Sequence, residues 1–241
     1  MLFVAEIGMN YDGNLDLAYE LIRQAHLAGA DIAKFQFGWR CAPGEINYLD
    51  VDRARRLRRW CDSIGIEFMA SILTEEALEL AHAVGMARYK IASRTVLDKP
   101  ALCERILAEG KETFVSLGMW DKPQWPFGPP TDHLRYIYCR SKYPVYPEDL
   151  VGLPEQFSPA GCYGYSDHCH GIAACLLAIS RGAQYVEKHF TLNKTSQVIR
   201  DHTLSATLEE LRILTTLGAE VGRLAAVVGS GAAVTSGPGS A

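Results

Sequence analysis

Two histidines follow neighbouring predicted strands, and their placement suits a shared divalent metal ion. His168 lies in the run YSDHCHG, and His189 lies in the run QYVEKHF. The segment from Gly171 to Gly182 between them has apolar residues at helical spacing, which predicts a strand–helix–strand unit with parallel strands. Two imidazoles at adjacent strand ends can hold one metal, with water or substrate at the remaining positions. A hydrogen-bonded structural role is the competing interpretation for either histidine alone.

Serines and lysines recur at the other predicted strand ends and favour a small oxyanion as ligand. Serine hydroxyls donate hydrogen bonds and lysines add positive charge, so a phosphate or carboxylate is the expected partner. Glu6 can act as an acid or base, or orient a substrate hydroxyl. A salt bridge is the alternative role for each lysine, and the repetition of serine carries the inference. These strand ends carry Glu6, Lys34, Gln36, Ser71, Lys90, Ser93, Ser116, Ser141, Tyr143, Ser166, His168, Lys188 and His189.

Alternating strand and helix patterns must position these residues. Strands are predicted at Leu2–Ile7, Asp31–Phe37, Ile66–Ile72, Arg88–Ala92, Thr113–Leu117, Leu134–Cys139, Tyr163–Tyr165 and Tyr185–His189. Helices are predicted at Leu15–Ala28, Val51–Ile64, Thr74–Val84, Asp98–Gly110, within Pro147–Phe157, at Gly171–Gly182 and at Thr207–Val228.

This order predicts an α/β fold, a (β/α)8 TIM barrel over residues 1–228. The run Trp120–Pro130 is rich in proline and should replace the helix after the fifth strand with a loop. Residues 229–241 have low complexity and are predicted to form a flexible tail. An open doubly wound sheet is the alternative fold. No GxGxxG or GxxxxGK[ST] run follows a strand, which weakens a nucleotide-binding version of that alternative.

Composition argues against several classes of partner. The formal net charge of −4 gives no reason to expect nucleic acid or an anionic membrane. The arginines of the second helix are read as a solvated face. No apolar run has the length of a membrane span, and MLFVAEIG has no basic leader. The 7 cysteines form no CxxC pair, so free thiols and a cytoplasmic location are expected.

Six short motifs together carry a family resemblance. AEIGMNYDG, ADIAKFQ, YKIAS, VSLGM, YSDH and VEKHFTL occur in this order between about Phe3 and Leu214. They resemble the sialic acid synthase family, which includes N-acetylneuraminate synthase and its legionaminate and pseudaminate relatives. The resemblance implies a (β/α)8 barrel that condenses phosphoenolpyruvate with an open-chain amino sugar or related aldehyde. It also implies a divalent metal cofactor, manganese or magnesium.

The resemblance assigns roles to individual residues. His168 and His189 would be the metal ligands, and Glu6, Lys34 and Lys90 would be catalytic. Phosphoenolpyruvate would be held by Lys34, Ser71, Lys90, Ser93, Ser116 and Ser166. The remaining substrate contacts would come from Gln36, Ser141, Tyr143 and Asp201. In the implied reaction, carbon 3 of phosphoenolpyruvate attacks the aldehyde, water adds at carbon 2, and phosphate leaves by C–O cleavage. The product is a 2-keto-3-deoxy sugar acid.

The chain departs from the family pattern where the acceptor should bind. The family run KIASGE is KIASRT here, so Arg94 replaces glycine and Thr95 replaces a glutamate thought to move protons. The loop after the second strand is short. The run NYDG occurs where the family has NHNG, and VIRDH occurs where the family has GPDH. The antifreeze-like C-terminal domain of the family is absent from this sequence. We therefore expect a nonstandard acceptor such as a smaller aldehyde, or a homodimer or partner protein that completes the site.

Two other functions fit the same residues. Lys34 or Lys90 could form a Schiff base with pyruvate, as barrel lysines do in aldolases. Alternatively, Thr95 in place of the glutamate suggests a non-catalytic barrel that binds a phosphorylated ligand.

Overall fold

Eight parallel strands close into a barrel in the computed structural model, which describes residues 1–229. Each strand pairs with the next along the chain, and β8 pairs with β1. The predicted (β/α)8 barrel is confirmed, and the open sheet is wrong. The strands are β1 (Leu2–Gly8), β2 (Ile32–Phe37), β3 (Glu67–Ile72), β4 (Tyr89–Ile91), β5 (Thr113–Ser116), β6 (Leu134–Cys139), β7 (Cys162–Asp167) and β8 (Tyr185–His189).

The helices cover the barrel, and side-chain caps mark where several of them begin. Asn14, Asp50 and Thr74 each accept hydrogen bonds from amides of the first helical turn. A 3-10 helix occupies Pro147–Leu150. The α-helices are α1 (Leu15–Leu27), α2 (Val51–Ile64), α3 (Glu75–Ala83), α4 (Ser93–Asp98), α5 (Pro100–Ala108), α6 (Ala173–Ser180), α7 (Asp201–Leu204) and α8 (Leu208–Gly229).

Four elements differ from the sequence prediction. The short helices α4 and α7 were not predicted, and neither has a side-chain cap that could have signalled it. The helix predicted within Pro147–Phe157 is only the 3-10 turn, which ends before Gly152, a residue with φ of +92°. Strand β7 is longer than predicted, so His168 lies one residue beyond its end.

The proline-rich segment after β5 contains no helix, as predicted. Its aromatic side chains cover the side of the barrel that a helix would otherwise cover. Trp125 stacks on Tyr136 with ring centroids 4.5 Å apart and planes at 9°. Trp120 and Phe127 also pack against the core. This loop therefore supplies apolar cover in place of a helix.

The barrel interior changes from apolar to polar along the strands. An apolar layer near the amino ends is formed by Val4, Ile32, Met69, Phe114, Ile137 and Tyr185. Because strand side chains alternate, the residue two positions later points the same way. Those later positions hold Glu6, Lys34, Ser71, Ser116, Cys139 and Glu187. The apolar layer thus forms the floor of a polar site at the carboxyl ends.

Several other features of the chain were predicted. The 7 cysteines are all free thiols. No helix within residues 1–229 has the length and apolar character needed to cross a membrane. The flexible tail predicted for residues 229–241 falls outside the described residues, except for Gly229 at the end of α8. The cytoplasmic location stays a prediction.

Candidate active site

One cavity of about 730 Å³ opens at the carboxyl ends of the strands. This volume is in the usual range for a site that binds small molecules. The structure brings every residue to which the resemblance assigned a role to the cavity lining, although the individual roles stay predictions. These are Glu6, Lys34, Gln36, Ser71, Lys90, Ser93, Ser116, Ser141, Tyr143, Ser166, His168, His189 and Asp201.

A buried charge cluster occupies the base of the cavity. Lys34 Nζ lies 2.5 Å from Glu6 Oε2 and 3.4 Å from Glu187 Oε1. Glu6 Oε1 also accepts a hydrogen bond of 2.7 Å from Gln36. One ammonium between two carboxylates leaves the cluster one negative charge in excess when both acids are ionised.

The two carboxylates of this cluster have opposite pKa shifts. Burial raises the pKa of Glu6 to about 7, against the attraction of Lys34. Burial also opposes ionisation of Glu187, but Lys34 and Lys90 outweigh it and lower the pKa of Glu187 to about 2. Burial disfavours the charged form of Lys34 as well, yet both carboxylates raise its pKa. Glu187 is therefore a fixed anion, while Glu6 can exchange a proton near neutral pH.

Lysine and serine side chains line the adjoining wall. Lys34 donates to Ser71 Oγ over 3.1 Å, and Lys90 donates to Ser116 Oγ. No carboxylate lies within ion-pair distance of Lys90 among the described residues, and burial lowers its pKa. A positive group that lacks a close counterion, surrounded by hydroxyls, is suited to bind an anion from solution.

The remaining serines are held in place by strand-end contacts. Ser93 Oγ accepts from the Gly118 amide over 2.9 Å and lies 3.3 Å from Cys139 Sγ. Ser166 donates to Glu187 Oε1 over 3.0 Å. A backbone amide thus orients the Ser93 hydroxyl, and a carboxylate orients that of Ser166.

The two histidines meet above this wall. Their ring centroids are 5.4 Å apart, and the Tyr143 ring lies 4.1 Å from that of His168. His168 Nδ1 lies 2.7 Å from the carbonyl oxygen of Arg140, so this nitrogen is the donor and Nε2 keeps its lone pair. Burial lowers the pKa of both histidines, and His168 lowers that of His189 further. Both rings are therefore neutral at pH 7.

This pair fits a divalent metal ion. His189 Nδ1 is buried and has no hydrogen-bond partner among residues 1–229, and buried polar atoms in proteins usually have one. Neutral imidazoles are ligands of first-row divalent metals, and manganese would take oxygen ligands from water or substrate beside them. Among residues 1–229, no group of three or more histidine, cysteine, aspartate or glutamate side chains is arranged to hold a metal. The two histidines would therefore leave most coordination positions to water or substrate.

Sequence reasoning chose the wrong residue of strand β8 beside His189. Lys188 was placed at the mouth of the barrel, but its side chain is buried on the outer side and pairs with Asp167. Glu187 faces the cavity instead. The alternation of strand side chains was the missed signal, because Glu187 is two residues before His189 and shares its face.

Basic residues at the cavity mouth were also missed. Arg40, Arg94, Lys142 and Arg200 line the opening. Lys142 is neutralised by Asp149, with contacts of 2.7 and 2.8 Å. Arg200 stacks on Tyr143 with its Cζ atom 4.5 Å from the ring centroid. The Arg40 guanidinium has no hydrogen bond or ion pair within residues 1–229, so the mouth carries unneutralised positive charge.

Comparison with known proteins places this barrel in a family. The NeuB family profile matches residues 45–232. The chain is 32% identical to N-acetylneuraminate-9-phosphate synthase of Homo sapiens, over 86% of this chain and 66% of that protein. It is 30% identical to N,N'-diacetyllegionaminic acid synthase of Legionella pneumophila, over 88% of this chain and 69% of that protein. The chain spans about two thirds of the length of these curated relatives.

A solved structure agrees with these matches. The N-acetylneuraminic acid synthetase of Leptospira borgpetersenii, solved with citrate, superposes with a TM-score of 0.75 at 26% identity. The match covers 99% of this chain and 87% of that chain. The two proteins therefore share one fold, a closed (β/α)8 barrel in this chain. The chain is a member of the NeuB family.

Proposed function

We propose that this protein condenses phosphoenolpyruvate with an aldehyde to give a 2-keto-3-deoxy acid and phosphate. The observation that carries the proposal is Lys90, a buried cation bonded to Ser116 and without a close carboxylate, facing the histidine pair across one cavity. Relatives named as sialic acid and legionaminic acid synthases support it. The cavity of about 730 Å³ has room for an acceptor beside a three-carbon acid.

The chain's own residues would hold phosphoenolpyruvate and manage its charge. Lys90, Lys34 and the serine hydroxyls bind its phosphate and carboxylate oxygens, and they stabilise the phosphate as it leaves. Attack of carbon 3 on the aldehyde builds positive charge at carbon 2. The fixed anion Glu187 lies at the base of the cavity and favours that charge. Ionised Glu6 takes a proton from the water that adds at carbon 2, and the aldehyde oxygen takes up a proton from solvent to become a hydroxyl. The adduct at carbon 2 then loses phosphate as its C–O bond breaks, and its hydroxyl proton passes to solvent to leave the 2-keto group.

His168 and His189 would hold a divalent metal ion, manganese or magnesium. When bound, the metal supplies Lewis-acid polarisation of the acceptor carbonyl. Tyr143, packed against His168, shields this side of the cavity from bulk water. Gln36 and Asp201 also line the cavity, and their polar atoms would bind hydroxyl groups of the acceptor.

The basic mouth supports an acceptor that carries an anionic group. Within residues 1–229, the Arg40 guanidinium has no ion pair or hydrogen bond, and the one ion pair of Arg94 is a 3.9 Å contact with Asp98. An acceptor with a phosphate or carboxylate far from its aldehyde would place that group beside these arginines. Two relatives are named as synthases of a 9-phosphate product, which agrees with this choice. A homodimer or partner that completes the mouth remains a prediction, checked by light scattering.

One observation favours a second candidate, a Schiff-base pyruvate aldolase. Burial lowers the pKa of Lys90, which favours the neutral amine that this chemistry needs. Lys34 is unsuited, because two carboxylates raise its pKa. Borohydride trapping of a pyruvate adduct at Lys90, insensitive to chelator, would identify this activity.

Phosphate release tests the proposal. Phosphoenolpyruvate and Mn²⁺ are supplied with a neutral amino sugar, a phosphorylated amino sugar and a small aldehyde. We expect phosphate release only when an acceptor is present, and loss of release with chelator. Tight phosphoenolpyruvate binding without release from any acceptor would instead indicate a non-catalytic barrel. Turnover gained by Thr95→Glu would then show that the catalytic function had decayed.

A further inference from the structure

A buried ion pair lies on the outer side of the barrel, directly behind the two histidines. Lys188 Nζ is 2.7 Å from Asp167 Oδ2, and both side chains are 0% exposed. The two residues are register partners on β7 and β8. Asp167 immediately precedes His168, and Lys188 immediately precedes His189. Neither residue of the pair lines the cavity, so neither can bind the substrate.

The pair also holds the backbone that follows His168. Asp167 Oδ1 accepts hydrogen bonds from the Cys169 amide over 2.9 Å and from the Tyr165 hydroxyl over 2.7 Å. Lys188 donates to the Cys169 carbonyl oxygen. Both backbone polar groups of Cys169 are therefore fixed by the ion pair, and the neighbouring His168 has little freedom to shift.

Folding stability alone does not explain a buried ion pair at this position. Two charges lose their hydration on burial, and an apolar pair of similar size is often equally stabilising or better. The 2.7 Å distance between Asp167 Oδ2 and Lys188 Nζ is that of a direct ion pair. Apolar side chains cannot form the hydrogen bonds that the pair makes with the backbone of Cys169.

We propose that Asp167 and Lys188 are positioning residues that set the separation and orientation of His168 and His189 for a divalent metal ion. The inference rests on the proposed function for the identity of the metal site, and it assigns a task to two residues that contact neither metal nor substrate. Partners that orient metal-binding histidines are typically needed for full metal affinity.

Mn²⁺ titration followed by electron paramagnetic resonance tests this role without measuring activity. The variant Asp167→Leu/Lys188→Met replaces the ion pair with apolar side chains of similar size. We expect its Kd for Mn²⁺ to rise roughly 10- to 100-fold, while its phosphoenolpyruvate affinity stays close to wild type. Its melting temperature should fall, because the Cys169 amide and the Tyr165 hydroxyl lose their buried acceptor. The control Glu67→Leu/Arg88→Met removes an ion pair of 3.2 Å at the amino end of the barrel, and should bind Mn²⁺ like wild type.

The possible results separate this inference from the proposed function. A folded double variant with wild-type Mn²⁺ affinity would overturn the positioning role alone. A wild-type protein that binds no Mn²⁺ would overturn both. If the double variant does not fold, Tyr165→Phe decides, because it removes only one hydrogen bond to Asp167. It should weaken Mn²⁺ binding severalfold, and unchanged affinity in that variant would count against the role.

Discussion

Glu6 Oε2 and Lys34 Nζ lie 2.5 Å apart at the base of the cavity, and both side chains are 2% exposed. The other carboxylate oxygen, Glu6 Oε1, accepts a hydrogen bond of 2.7 Å from Gln36. Burial raises the pKa of Glu6 to about 7 even beside this ammonium group. An acid whose pKa lies near neutral pH can exchange a proton there and is suited to general base catalysis.

The pH dependence of activity should therefore report Glu6. The ionised form is the base, so kcat/KM should fall as the pH falls through about 7. Glu6→Gln should lower kcat/KM by roughly 10²- to 10⁴-fold and remove that limb of the profile. The matched control is Glu67→Gln, because Glu67 also has a raised pKa but lies outside the cavity. If kcat/KM of Glu6→Gln still falls with pH as in wild type, a group other than Glu6 is responsible for that fall.

Lys90 should dominate phosphoenolpyruvate affinity. Lys90→Met removes a buried cation and its bond to Ser116, while keeping the length of the side chain. Loss of a charge-assisted contact should raise the Kd measured by calorimetry roughly 10- to 150-fold. Lys111→Met is the control, since Lys111 bonds to the Met86 carbonyl oxygen and does not line the cavity. Equal affinities for Lys90→Met and wild type would remove the main support for an anion-binding wall.

Glu187 should contribute to folding stability in a pH-dependent way. Its folded pKa of about 2 is below the ordinary value of 4.5, so its ionised form stabilises the protein above about pH 4.5. That contribution is lost as the pH falls towards 2. Glu187→Gln leaves Lys34 and Lys90 less neutralised and should lower the free energy of unfolding at pH 7 by about 3–5 kcal/mol. In urea unfolding, a gap from wild type that fails to narrow below about pH 4 would contradict this account.

Arg40 should distinguish acceptors by charge. Arg40→Ala should raise KM for a phosphorylated acceptor by up to about fivefold, because the guanidinium is exposed and its attraction is screened. KM for a neutral acceptor should change little. Arg59→Ala, an exposed arginine on α2, serves as the control. Equal effects of Arg40→Ala on both acceptors would show that the mouth does not select an anionic group.

The residues that line the cavity could be predicted from sequence because a parallel barrel brings all strand ends to one face. Ser71, Lys90 and Ser116 needed only that topology to meet. The prediction that Lys188 lies at the mouth is wrong, because side chains alternate along β8 and Lys188 points away from the face that carries His189. The same alternation places Glu187 on the cavity face, because Glu187 lies two residues before His189 on β8.

Other features depend on contacts between distant parts of the chain. Helix α4 begins without a side-chain cap, so nothing local marks Ser93 as its start. The pairing of Asp167 with Lys188 joins residues 21 apart and is set by the strand register. The Arg40 guanidinium has no ion pair within residues 1–229, and Arg40 lies in a loop where its φ is +48°. Composition and periodicity contain no signal for such relationships.

The central claim is that the bond broken in phosphoenolpyruvate is its C–O bond, during condensation with an aldehyde. Phosphoenolpyruvate labelled with ¹⁸O at the bridging oxygen is turned over with an acceptor and Mn²⁺, and both products are analysed by mass spectrometry. The account predicts that phosphate carries the label and that an acid three carbons longer than the acceptor forms in equal amount. Unlabelled phosphate together with free pyruvate would contradict it, because that result is simple hydrolysis at phosphorus.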